Sequence, residues 1–203
     1  MPITKDKILE WRGVTDLVAA EVTEDGENYT TGEVFYIAGT AQIEKTTDSS
    51  ADAHYYDNIP AVVVANESSD EVTISVSAIP LDVLGKITGQ TYDSTLGALF
   101  EGERTLKYFA LGYKTQKNDG SEVYVWRLKG SFNVPDQTNV TKNDSTDANG
   151  QELVYTGIST THQFTKTGKG QKSVVVDVSK DLANVSTFFD TVTTPDTLTK
   201  KTP

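Results

Sequence analysis

The run from Arg104 to Val134, RTLKYFALGYKTQKNDGSEVYVWRLKGSFNV, constrains the fold more than any other part of the chain. In its second arm Tyr124, Trp126, Leu128, Gly130, Phe132 and Val134 share one face by the period-two rule, while Arg127, Lys129, Ser131 and Asn133 share the other. That alternation predicts a half-buried antiparallel strand with the rings turned inward and the charges outward. The first arm, Leu106 to Tyr113, is rich in Tyr, Phe and Leu. Between the arms Asn118-Asp119-Gly120 supplies residues that tolerate positive φ, so the run reads as a β-hairpin with Tyr124, Trp126, Leu128 and Phe132 in the core.

The rest of the chain is dominated by β signals and polar connections. A first strand is expected over Val14–Thr23, turning at Glu24-Asp25-Gly26 into the apolar stretch Val34–Ala38. Residues 44–58, EKTTDSSADAHYYDN, are polar and too long for a hairpin turn, so they read as a long loop, a feature that is usually functional. Two strands follow over Ala61–Ala65 and Glu71–Ile79, the second with Val72, Ile74, Val76 and Ala78 alternating against Thr73, Ser75 and Ser77. Directly after it, Leu81, Leu84 and Ile87 recur at helical spacing between Pro80 and Gly89, which predicts a short helix over 80–88 with Leu84 and Ile87 packed inward. Gly85 inside that helix costs roughly 1 kcal/mol relative to Ala. Residues 91–102 read as a loop. Beyond the hairpin, residues 152–164 are expected to pair with 173–178 through the turn TKTGKG. The spacing of Leu182, Val185, Phe188 and Phe189 predicts a short C-terminal helix, and the Thr-rich stretch 191–203 reads as a mobile tail.

A chain of 203 residues carrying 29 acidic and 18 basic side chains has a net charge of −11, a sign that disfavours adhesive contact with nucleic acid. There is no cysteine, which excludes disulfides and thiolate chemistry. With only His54 and His162, widely separated, a histidine metal site or catalytic triad has little material. The run 145–150 resembles a calcium loop around its glycine, but Thr156 stands where a bidentate glutamate is needed. GKGQKS, residues 168–173, lies between strands instead of opening a helix, so it reads as a turn and not a phosphate cradle. Basic and aromatic residues interleave along Tyr108, Tyr113, Lys114, Tyr124, Trp126, Arg127 and Lys129, yet in the second arm the alternation sends rings and charges to opposite faces, which argues against a base-stacking platform. No residue pattern calls for a catalyst or a cofactor. No apolar run is long enough for a secretion signal or a membrane span, so a soluble cytoplasmic protein is expected.

IPLDVLGKITGQTYD followed by KYFALGYKTQKNDGSEVYVWRLKGSF resembles the major tail protein, or tail tube subunit, of bacteriophages with long non-contractile tails. The order of elements upstream, from Gly13 through the acidic and aromatic cluster at Tyr55, Tyr56 and Asp57, is similar in layout. The resemblance implies a mainly β fold: an antiparallel β-sandwich or barrel of the tail tube type, with one short flanking helix and long loops. It divides the chain into an N-terminal arm (1–12), a tube domain (13–190) and a C-terminal tail (191–203).

The function implied is structural. Such subunits form stacked hexameric rings in the virion tail, around the tape-measure protein during assembly and around the genome on its way out. The expected partners are therefore further copies of the chain, the tape-measure protein and other tail proteins, with DNA passing through unbound and no membrane insertion. On this reading Lys45, Asp48, Asp52, His54, Tyr55 and Tyr56 of the 44–58 loop make ring-to-ring contacts, and Arg127 and Lys129 make contacts between subunits. The competing reading is a carbohydrate- or protein-binding β-sandwich module, for which Tyr55 and Tyr56 are the best candidates.

Overall fold

The computed structural model describes residues 8–56, 59–139 and 150–202, with side chains left undescribed over 50–67. Strands β1 (Trp11–Asp25), β2 (Tyr29–Thr31), β3 (Phe35–Tyr36), β4 (Thr40–Tyr56) and β5 (Ile59–Val76) lead to helix α1 (Leu81–Thr88). After it come the small β6 (Thr91–Asp93) and β7 (Ala98–Phe100), then β8 (Phe109–Lys117) and β9 (Glu122–Phe132). The last strands are β10 (Asp136–Gln137), β11 (Gln151–Gly157) and β12 (Ser173–Asp177). All but β6 and β7 join one antiparallel sheet running β2-β1-β8-β9-β11-β5-β4, with β3, β10 and β12 on its margins. Among the described residues its two ends are not paired to each other, so the sandwich-like alternative holds and the closed barrel does not.

The β8–β9 hairpin lies at the centre, joined through a turn in which Gly120 has φ 82°. Contrary to expectation, β9 is buried on both faces: Val123 and Val125 enter one apolar cluster, Trp126 and Leu128 the other. Central strands covered on both sides cannot alternate cleanly between oil and water. The period-two phase also breaks. Between Arg127 and Gly130 on β9 and Leu111 and Phe109 on β8 there is one extra residue on β9, a bulge that turns every later side chain to the opposite face. Phe132 is therefore buried as expected, but in the cluster opposite Trp126.

The first cluster joins Leu17, Phe109 and Val125 to Val72, Ile74 and Tyr155 and to Leu84 and Ile87 of α1. The helix begins at Leu81, one residue after the expected Pro80, and Leu81 itself stays exposed. No side chain caps its start, while Gly89 ends it in the left-handed conformation with φ 72°. Gly85, unfavourable for helix propensity, has a packing reason: a Cβ there would sit 3.0 Å from Leu99 and 3.1 Å from Tyr92 of the β6–β7 hairpin. That hairpin occupies part of the expected 91–102 loop.

The second cluster sets Trp126, Leu128 and partly buried Tyr124 against Phe164, Val174, Val176, Phe188 and Val192. Its cover is the C-terminal segment, and three expectations are corrected there. Residues 182–189 form no helix but an extended stretch bridged at Ala183 to Lys200 and then turns from Ser186, with Phe188 and Phe189 drawn onto Tyr124 and Trp126. The tail is packed: Val192, Thr193 and Thr194 are buried, and Thr194 and Thr197 bond each other through side chain and backbone. Finally, β11 and β12 do not pair. Both lie antiparallel along one edge of β9, Gly157 opposite Gly130 and Ser173 opposite Arg127, with residues 158–172 looping out between them.

Gly130 is required by its neighbours. An added Cβ would come within 2.3 Å of Tyr155 Cζ and 2.5 Å of the Thr156 carbonyl oxygen. Tyr155 cannot give way readily, being fully buried with its hydroxyl donating to the Phe109 carbonyl at 2.9 Å. Gly130→Ala should therefore lose about 1–3 kcal/mol by overpacking, read as a lower urea midpoint, and an unchanged midpoint would contradict this packing.

Candidate assembly surfaces

The polar stretch 44–58, expected as a loop, is strand over residues 44–56, part of β4. Threonine and serine fit a pleated strand when a partner supplies the ladder, and β5 does so along its length, as one continuous strand where two were expected. The pairing runs from Thr40 opposite Val76 to Tyr56 opposite Ile59. The third strand stops short: β11 pairs with β5 only from Val76 to Asp70. Beyond Thr47, which lies opposite Asp70, the hairpin continues as a two-stranded ribbon. Nine residues at about 3.3 Å each give it a reach of about 30 Å. Lys45 and Asp48 are exposed near its root. Asp52, His54, Tyr55 and Tyr56 take backbone positions on the ribbon, opposite Val64, Val62, Pro60 and Ile59, and their side chains lie outside the described residues.

At the ribbon's root a charged cluster sits in the floor of a cleft. Arg127, expected to face outward, is only 6 % exposed and donates from Nη1 to Asp70 Oδ2 at 2.7 Å. Its Nη2 reaches the Tyr113 hydroxyl at 3.3 Å. Asp70 also accepts from the Thr47 hydroxyl at 3.0 Å and from Lys172 at 3.4 Å. Burial pushes the Asp70 carboxyl up, but the Thr47 hydrogen bond and the charges of Arg127, Lys45 and Lys172 outweigh it and hold the group below the usual carboxylate range. The cleft above, about 680 Å³, is walled by β1, β4, β9 and β12.

Lys129 is likewise turned inward, bonded to Asp25 at 2.5 Å. Asp25 further accepts backbone N–H groups of Thr161 at 2.9 Å and His162 at 2.8 Å, so it fastens the 158–172 loop to the end of β1. Both residues proposed for subunit contacts, Arg127 and Lys129, thus spend their charge inside the subunit. The sequence did carry a signal for the Asp70 cluster. Asp70 shares the period-two phase of Val72, Ile74 and Val76, which puts a carboxylate on an apolar face, where it needs a buried partner. Nothing local marked Lys172 or Thr47.

Among the described residues no three acidic or histidine side chains converge as a metal would require. The calcium-loop-like run 145–149 lies outside the described residues. No described helix is long and apolar enough to cross a membrane.

No curated protein matches the chain. Among solved structures, the tube-terminating cap of an anti-feeding prophage, seen by cryo-electron microscopy, aligns over 87 % of this chain and 99 % of its own at 9 % identity. With a TM-score of 0.34 that likeness carries no argument. The decisive match is in sequence: the family described as phage tail tube protein matches residues 27–190, from the end of β1 through the ribbon, α1 and the central hairpin to the segment that closes the second cluster. By that match the chain belongs to the phage tail tube protein family, a structural component of the virion tail.

Proposed function

We propose that this chain is a non-catalytic tube subunit that self-assembles into stacked rings, six subunits to a ring as the family resemblance implies, with the β4–β5 ribbon as its connector. The observation that carries the ribbon's role is that, among the described residues, no third strand pairs with it beyond Thr47. A two-stranded ribbon is marginal alone in water, and 30 Å of it makes physical sense when a neighbouring subunit covers it. The surfaces first assigned to subunit contacts, Arg127 and Lys129, are replaced in this reading by the ribbon and the exposed root residues Lys45 and Asp48.

The net charge of −11 supports a conduit role. An acidic lumen repels phosphates and lets a duplex slide without trapping it. The tape-measure protein would occupy the same lumen before the genome does.

Negative-stain microscopy of the purified protein tests the assembly, with rings or tubes expected; a protein that stays monomeric at high concentration defeats the proposal. A narrower test replaces residues 49–67 with an Asn-Gly turn. Because among the described residues the excised ones pair only with each other, unfolding should remain cooperative with a stability change within about 1 kcal/mol, while tubes are lost. Normal polymerisation of that variant would remove the ribbon from the mechanism.

A further inference from the structure

The cleft at the ribbon's root and the ribbon itself are unbalanced in charge, with opposite signs. Among the described residues Asp70 is the one carboxylate lining the cleft and the adjoining hollow, whereas Arg12, Lys45, Lys172 and Arg127 all border them. This excess of positive charge stands out in a chain of net charge −11. One cationic atom there is also unsatisfied, since Arg127 Nε is buried without a hydrogen-bond partner among the described residues. The walls are apolar and partly bare: Trp11 is 66 % exposed and Val175 59 %. A surface of this kind suits an occupant that is acidic and carries apolar side chains.

The ribbon has that chemistry. From Thr46 to Gly85 the sequence contains no Lys or Arg, and the paired ribbon bears Asp48, Asp52 and Glu67 beside runs such as Ala61-Val62-Val63-Val64. We infer that the ribbon of one copy lies in the cleft of the next, an acidic and valine-rich segment matched in composition to a cleft bordered by Arg12, Lys45 and Lys172 and by the exposed Trp11 and Val175. The inference rests on the self-assembly reading and adds to it the place where the ribbon lands. The ribbon cannot fill its own cleft, because Ile43 and Lys45 at its root form one wall and the strand extends away from there. Donor and acceptor are different patches of the same chain. Such a heterologous contact leaves a free ribbon and a free cleft on every open assembly and so propagates until a ring closes or a filament extends.

The absence of cysteine makes the test clean. The full chain carrying Asp52→Cys and Val175→Cys is assembled, oxidised and run on a non-reducing gel. A ladder of covalent dimers, trimers and higher species is expected, against dimers at most from either single variant. Tubes that form without such a ladder would overturn the inference, and so would a ladder from Ile3→Cys with Val175→Cys in its place, which would give the cleft to the N-terminal segment. In parallel, Arg12→Glu with Lys45→Glu, two exposed positions, should leave the circular dichroism spectrum unchanged and lower the yield of tubes at least ten-fold; an unchanged yield speaks against the docking. Failure of the wild-type chain to form tubes would instead sink the self-assembly reading itself, and this inference with it.

Discussion

Trp126→Ala is expected to lower the unfolding free energy by about 3–5 kcal/mol, the usual cost of deleting a large buried aromatic. The ring is fully buried, and on β8 it lies against Gly112, where an added Cβ would sit 2.9 Å from the indole. Removing the indole leaves a void roofed by Phe189, whose ring centroid is 5.7 Å away. The indole N–H also donates to the Phe188 carbonyl at 2.7 Å. That carbonyl retains a second donor, the Thr193 hydroxyl at 3.0 Å, so Trp126→Phe should cost less, about 1–2 kcal/mol. Urea denaturation of the monomer measures both, and a near-neutral Trp126→Ala would mean that the C-terminal cover does not close on β9 as described.

Removing the Asp70 carboxylate should be comparably severe, and more so than removing its main partner. With Asp70→Asn, Arg127 is left charged in a buried site beside Lys172 and Lys45, and breaking a buried pair in this way costs about 3–5 kcal/mol. Arg127→Met leaves Asp70 with Lys172 and the Thr47 hydroxyl, so the loss should be nearer the value of one charged hydrogen bond, about 1–3 kcal/mol. A larger loss for Arg127→Met than for Asp70→Asn would show that the surrounding cations do not act as described. The pH dependence has a definite sign. Because the folded-state pKa of Asp70 is depressed, its contribution is fully present above the unfolded value of about 3.9 and disappears as pH falls through the lower folded value. Asp25 shifts in the same direction, where burial opposes the shift and Lys129 with two backbone N–H groups outweighs it. Stability should hold from pH 7 to about 5 and fall below about 4, and the gap between the wild type and Asp70→Asn should narrow in that acid range.

Local signals were sufficient where the cause is local. Asn118-Asp119-Gly120 marked the central turn, Leu84, Ile87 and Gly89 marked the helix and its stop, and the alternation from Val72 to Val76 marked β5. The polarity of 44–56 misled, because polar residues form strand when a long partner supplies the hydrogen bonds, and that partner, β5, follows only after Asn58. Arg127 and Lys129 misled for a related reason. Alternation put Arg127 on the face opposite Trp126, where it lies, but a face counts as outer only if nothing covers it; Lys129 falls within the bulge that breaks the alternation.

The sequence by itself determined a chain of antiparallel hairpins, the aromatic anchor at Trp126 and the likeness to tail tube proteins, since these rest on periodicity, turn chemistry and motif order within a few dozen residues. The tertiary structure alone decided that β9 is covered on both faces, that the 191–202 segment is part of the core's cover, and that Asp70 draws Arg127 and Lys172 into one cleft at the root of an acidic ribbon. Those pairings join residues 57 and 102 positions apart. No local preference encodes them, because a buried charge takes whichever partner the completed sheet brings within reach.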